Sequence, residues 1–127
     1  MDVTFTAEEE AFRDEVREFL DTHLTDDLRA AGRLATSVYS DHEASMAWQA
    51  ILHERGWAAP AWPVEWVGCD WTVAQHYIFA RESVLAGAPF LSPMGIRMVA
   101  HAIVRFGTEE QKKFFLPGIL DASVFFC

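Results

Sequence analysis

The chain has 127 residues, of which 51% are hydrophobic and 23% charged, a balance that suits one folded domain with a single core and excludes a disordered chain. Its 19 acidic and 10 basic residues leave a net charge of −9, which argues against DNA or RNA as a partner, because binding to phosphate rests on Lys and Arg. Cys69 and Cys127 form no CxxC pair and no zinc spacing, no apolar run is long enough to span a bilayer, and Met1-Asp2-Val3-Thr4 lacks a basic-then-apolar leader, so a cytoplasmic protein with free thiols is expected.

The first predicted helix runs from Ala7 to Leu24. Thr6 with Glu9 makes a capping box, and Glu8, Glu9 and Glu10 occupy the first turn, where the helix dipole favours anions. Phe12, Val16, Phe19 and Leu20 recur at helical spacing as a buried stripe, which leaves Arg13, Arg17 and Asp21 on a solvated face. Residues 25–40 are weakly patterned: a loop around Gly32 and Thr36-Ser37 is expected, with a short helix near Leu28.

Ser40 with Glu43 forms a second capping pattern and opens a helix to Arg55, with Ala44, Trp48, Ile51 and Leu52 as its apolar face. Gly56 is placed to stop it in a left-handed conformation. Four tryptophans follow within residues 57–71, interleaved with Pro60 and Pro63. Each proline removes a backbone donor and biases its predecessor to extended geometry, so the segment is expected to be an ordered loop. Its tryptophans could cage a ligand, but clamping the loop onto the core is the favoured reading.

Thr72 caps a further helix to Ala86, with Val73, Tyr77, Ala80 and Val84 as its expected buried face; Gly87-Ala88-Pro89 breaks it. The next begins near Pro93 and ends at Gly107. It is apolar on most sides and therefore expected to be largely buried, apart from a single stripe of Arg97, His101 and Arg105, read as a docking edge rather than a plainly solvated one. Thr108 with Gln111 caps the last helix, which Pro117-Gly118 ends or bends. Ser123 to Cys127 has β-strand composition. A lone strand has no ladder partner, so the natural chain is expected to continue.

No catalytic or metal-binding set assembles from these residues. His53-Glu54 lacks the second histidine of a metalloprotease helix, His23, His42 and His76 stand apart, no glycine-rich phosphate loop is present, and Glu82 reads as a surface or paired carboxylate.

The order of signals nevertheless resembles one family. Leu52-His53-Glu54-Arg55-Gly56-Trp57, continuing through Pro60 to Trp62-Pro63-Val64-Glu65-Trp66, is similar to a signature of the acyl-CoA dehydrogenases, and Phe106-Gly107-Thr108-Glu109-Glu110-Gln111-Lys112-Lys113-Phe114-Phe115-Leu116-Pro117 resembles a second. Phe5-Thr6-Ala7-Glu8-Glu9-Glu10 through Leu20 fits the family's first helix, so the resemblance covers essentially the whole chain. It departs where the family has two glycines: here Trp66-Val67-Gly68 and then Asp70 stand, and because Val resists positive φ, a different loop path is expected.

The resemblance implies an all-α bundle of five or six helices, with residues 1–121 as an N-terminal helical domain and 122–127 as the truncated start of a middle β-domain. For the parent protein it implies FAD-dependent α,β-dehydrogenation of an acyl-CoA, with electron-transfer flavoprotein as electron acceptor and a homo- or hetero-oligomeric assembly; the wording of the tryptophan loop looks most like actinobacterial enzymes, some acting on sterol side-chain thioesters. The flavin-binding stretch and the catalytic glutamate are expected beyond Cys127, so no FAD and no catalytic residue is expected within these residues. Counting back from Gly107, the positions that match the family's acyl-chain wall are Phe90, Leu91, Met94, Gly95 and Met98. The rival expectation is a stand-alone helical module used for binding or assembly.

Overall fold

The computed structural model describes residues 4–36 and 41–126. They form α1 (Ala7–His23), α2 (Asp26–Leu34), α3 (His42–Arg55), α4 (Val73–Ala86), a π-helical stretch Met94–Val99 that runs directly into α5 (Ala100–Phe106), and α6 (Glu109–Leu120), with a single 3-10 turn at Val64–Trp66. The fold is all-α, and among the described residues no strand is present.

Local chemistry sets most of the helix ends. Thr6, Thr72 and Thr108 each accept from the backbone N–H three residues on, while Glu9, Gln75 and Gln111 reach back to the cap, so three helices begin on complete capping boxes. Thr25 caps α2 by accepting from Leu28, which converts most of the expected loop into helix. Ser37 and Ser40 lie outside the described residues; the cap observed on α3 is Asp41, whose Oδ1 accepts from the Ala44 N–H at 2.8 Å. Gly56 and Gly87 end α3 and α4 with φ of 82° and 80°. Pro117 does not end α6: the helix runs on to Leu120.

The core is made where α1 packs along α4 and where α3 meets α6. Phe12, Val16, Phe19 and Leu20 are buried as the spacing predicts, together with Trp48, Leu52, Trp57, Trp62, Ile78, Leu116 and Ile119. Each such side chain contributes about 1.5–3 kcal/mol of transfer free energy. The buried face of α3 also holds two polar residues that the apolar pattern does not reveal. Gln49 Nε2 donates to the carbonyls of Ile119 and Leu120 at 2.6 and 3.1 Å, which satisfies the open end of α6, and Ser45 Oγ donates to the Phe90 carbonyl at 2.9 Å.

Three expectations are corrected. First, the stripe Val73, Tyr77, Ala80 and Val84 of α4 faces outward, with Val73 87% and Val84 74% exposed. The buried residues are Ile78 and Glu82, because Arg17 of α1 reaches across and donates to Glu82 Oε2 at 2.8 Å, so a carboxylate can sit in the contact. Arg17 is therefore an interhelical tie, not only a solvated side chain. Second, the segment from Met94 to Phe106 is not buried on most faces: Ile96 and Ala100 are buried, but Met98 and Phe106 are well exposed. Third, the segment from Ser123 to Phe126 is not a strand, and Cys127 lies outside the described residues. With no neighbouring strand to pair with, the tail turns at Ala122, and Val124 and Phe126 fold back toward Gly118 and Gly95.

The tryptophan loop keeps a left-handed turn despite its non-glycine residues. Val67 has φ 69° and Asp70 has φ 52°. The turn is fixed from both sides: Val67 N–H donates to the Val64 carbonyl and Gly68 N–H to the Pro63 carbonyl, at 3.1 and 3.0 Å. Val67 thus takes the positive φ it was expected to resist, at a conformational cost of about 1–2 kcal/mol for a side chain in this region.

Candidate functional site

A groove of about 650 Å³ opens between α4, the tryptophan loop, the segment after Gly87 and the π-helical stretch. Each wall is held by a nameable contact. Trp57 sits among Phe12, Phe19, Phe79 and Trp71, with ring centroids between 4.9 and 6.2 Å, so the loop is clamped to the core as the favoured reading has it. Trp62 is buried, and its Nε1–H donates to the Ile96 carbonyl at 2.9 Å. That bond ties the loop to the π-helical stretch, whose Ala100 N–H reaches back five residues to the Gly95 carbonyl. Both tryptophans therefore clamp the loop and also form part of the groove wall.

The opposite wall begins where α4 stops. Gly87 turns the chain, Arg29 of α2 donates to the Ala86 carbonyl at 2.9 Å, and Ser45 holds the Phe90 carbonyl. Phe90 and Leu91 are thereby presented to the groove. Of the five positions singled out from the sequence, these two lie together in it. Gly95 faces the other way, its open side against Ile119 and Phe126. Met94 is half-buried and Met98 is exposed, and neither lines the groove. Residues the sequence analysis did not single out complete it, among them Ala58, Ala59, Phe79 and Ile96. Their signal was faint, because small and aromatic residues at these positions read as ordinary core.

Among the described residues no carboxylate lines the groove. Its titratable lining residues are His76, Arg97 and His101, in a chain whose net charge is −9. Arg97 and His101 are one turn apart on the stripe noted in the sequence. The Arg97 guanidinium lies over the Phe90 ring at 5.6 Å. Ser83 also lines the groove, and its hydroxyl is buried without a hydrogen-bond partner.

The nearby titratable groups outside the groove are structural. Burial pushes the Glu82 carboxyl up, but hydrogen bonds and charge from Arg17 and Arg81 outweigh it and hold the group below its ordinary range. Burial raises the Cys69 thiol, whose Sγ donates to the Gly56 carbonyl at 3.2 Å, which makes it a poor nucleophile. Among the described residues no group of His, Cys, Asp and Glu could hold a metal ion, and no helix is long and apolar enough to cross a membrane.

Comparison with known proteins gives this helical bundle a family. The family model described as acyl-CoA dehydrogenase, N-terminal domain, matches residues 6–123, so the chain belongs to the acyl-CoA dehydrogenases. It is 34% identical over 128 residues to acyl-CoA dehydrogenase FadE26 of Mycobacterium tuberculosis, covering 99% of this chain and 31% of that protein. It is 35% identical to acyl-CoA dehydrogenase IpdE1 of Mycolicibacterium smegmatis, covering 94% of this chain and 31% of that protein. Among solved structures it is similar to the Tcur3481-Tcur3483 steroid ACAD, with a TM-score of 0.77, 30% identity and 98% of this chain covered against 31% of that one. The ChsE4-ChsE5 complex from Mycobacterium tuberculosis gives a TM-score of 0.75 at 30% identity, over 98% of this chain and 30% of that one. The chain spans less than a third of the length of each.

Proposed function

We propose that the chain is the N-terminal domain of an FAD-dependent acyl-CoA dehydrogenase and that its groove forms part of the acyl-group pocket. The observation that carries this is the 650 Å³ groove walled by Trp57, Trp62, Phe79, Phe90 and Leu91, in a chain whose family oxidises thioester substrates. Hydride removal from a carbon chain needs a dry site, and aromatic and aliphatic walls exclude water. A groove of this volume takes a ring-bearing or branched acyl group as well as a slender chain, and the likeness to a steroid ACAD makes a sterol-type thioester the proposed substrate class.

When bound, FAD supplies the acceptor for the β-hydride. The described residues hold no glycine-rich turn of the kind that cradles a pyrophosphate, and this proposal assigns no step to FAD on this chain. Holding FAD, the general base, electron-transfer flavoprotein and the partner subunits belongs, in this proposal, to further polypeptide, with residues 122–127 leading into a β-domain. The bare stripe Val73, Tyr77 and Val84 supports such a neighbour, because a contiguous apolar face on a folded domain marks an interaction surface.

The test is direct. A neutral apolar ligand such as 1-decanol quenches the fluorescence of the wall tryptophans, and Leu91→Trp, which fills the groove, weakens that binding at least tenfold. A stoichiometric flavin absorbance band in the purified chain would overturn the placement of the flavin site elsewhere.

A further inference from the structure

The groove is apolar in its walls and one-sided in its polar groups. Arg97 makes no ion pair with any carboxylate among the described residues; its contact is the Phe90 ring. In a chain with almost twice as many acidic as basic residues, a guanidinium and two imidazoles line the groove and, among the described residues, no carboxylate does.

Resting on the acyl-pocket reading above, we propose that the groove selects acyl groups bearing a second, anionic carboxylate, with Arg97 and His101 as the specificity-determining residues at its rim. A guanidinium offers parallel N–H donors that match a carboxylate's two oxygens, and its contact with the Phe90 ring, at 5.6 Å, keeps the charge beside the groove. His101, one turn along the same face, supplies a further N–H. The apolar part of the ligand lies against Trp57, Trp62 and Leu91. A substrate with a plain hydrocarbon end leaves Arg97 unpaired and gains only the apolar contacts.

The experiment compares decanoate with 1-decanol, followed by tryptophan fluorescence on the full chain at low salt. Decanoate is the better hydrated of the two, so a merely greasy groove prefers the alcohol. The expected result is decanoate bound about tenfold more tightly, a difference of about 1.4 kcal/mol. Arg97→Gln abolishes that preference, and Arg97→Lys restores part of it. Arg97 is exposed, so these variants keep the fold, which circular dichroism verifies. If decanol binds but decanoate gains nothing, or if Arg97→Gln leaves the preference intact, the carboxylate proposal is overturned and the acyl groove stands. If neither ligand binds, the acyl groove itself fails. If free coenzyme A displaces decanoate from the wild type and also loses affinity in Arg97→Gln, the cation serves the coenzyme's phosphates and the proposal is again overturned.

Discussion

The tryptophan loop and the outer face of α4 draw on the same kinds of side chain and meet opposite fates. In the loop, Trp57 and Trp62 are buried and fixed by rings and a hydrogen bond, although the segment has almost no regular structure. On α4, Val73, Tyr77 and Val84 stand in solvent although they form a regular helical stripe. Regularity and burial are therefore separate properties here. The loop is expensive to disturb because its backbone is closed on itself, whereas the α4 stripe stays exposed, with only the Phe5 ring beside Tyr77.

That contrast can be broken or sharpened by substitution. The largest effect is expected at Gly68, where an added Cβ collides with the Trp62 carbonyl. Backbone cannot swing aside as a side chain can, so Gly68→Ala should cost about 3 kcal/mol in urea unfolding and disturb the tryptophan fluorescence. A near-neutral result would show that the loop is not rigid.

Glu82 comes next, as the one buried carboxylate on the inner side of α4. Glu82→Gln should destabilise by about 2 kcal/mol, because it removes the charge-assisted bonds from Arg17 and Arg81. Its folded pKa lies below the unfolded one, so the wild type's advantage is present above the ordinary carboxylate range and fades as pH falls through the folded value. Wild-type and variant melting curves should converge in acid; a gap that persists at pH 2 would show that the pair is not the cause.

Val67→Gly should act in the other direction. Relief of the left-handed strain should stabilise by about 1 kcal/mol, less the entropy glycine adds to the unfolded chain, seen as a small rise in urea midpoint. The smallest effect is expected at Val73→Ser, within about 0.5 kcal/mol for an exposed site. A loss near that of Gly68→Ala would mean the stripe is packed in solution.

Much of this was legible in the residues. The Thr6–Glu9 and Thr108–Gln111 boxes, the Thr72 cap, the Gly56 and Gly87 stops and the α1 stripe are local signals, and each appears where the spacing puts it. Family membership was legible too, from the segments around Trp57 and Gly107. The groove was only partly so: Phe90 and Leu91 line it, but the Ala58 and Ala59 floor and the Phe79 wall come from segments far apart in sequence.

The sequence by itself determined where helices start and stop, because caps, prolines and left-handed glycines act within a few residues. Only the tertiary structure decided which side of α4 is inside. That helix has two stripes of comparable greasiness, and the choice fell to Arg17 on α1, which neutralises Glu82 and lets the stripe containing a carboxylate be the buried one. Periodicity measures how side chains repeat along one helix, and it holds no information about the charge that another helix brings to meet them.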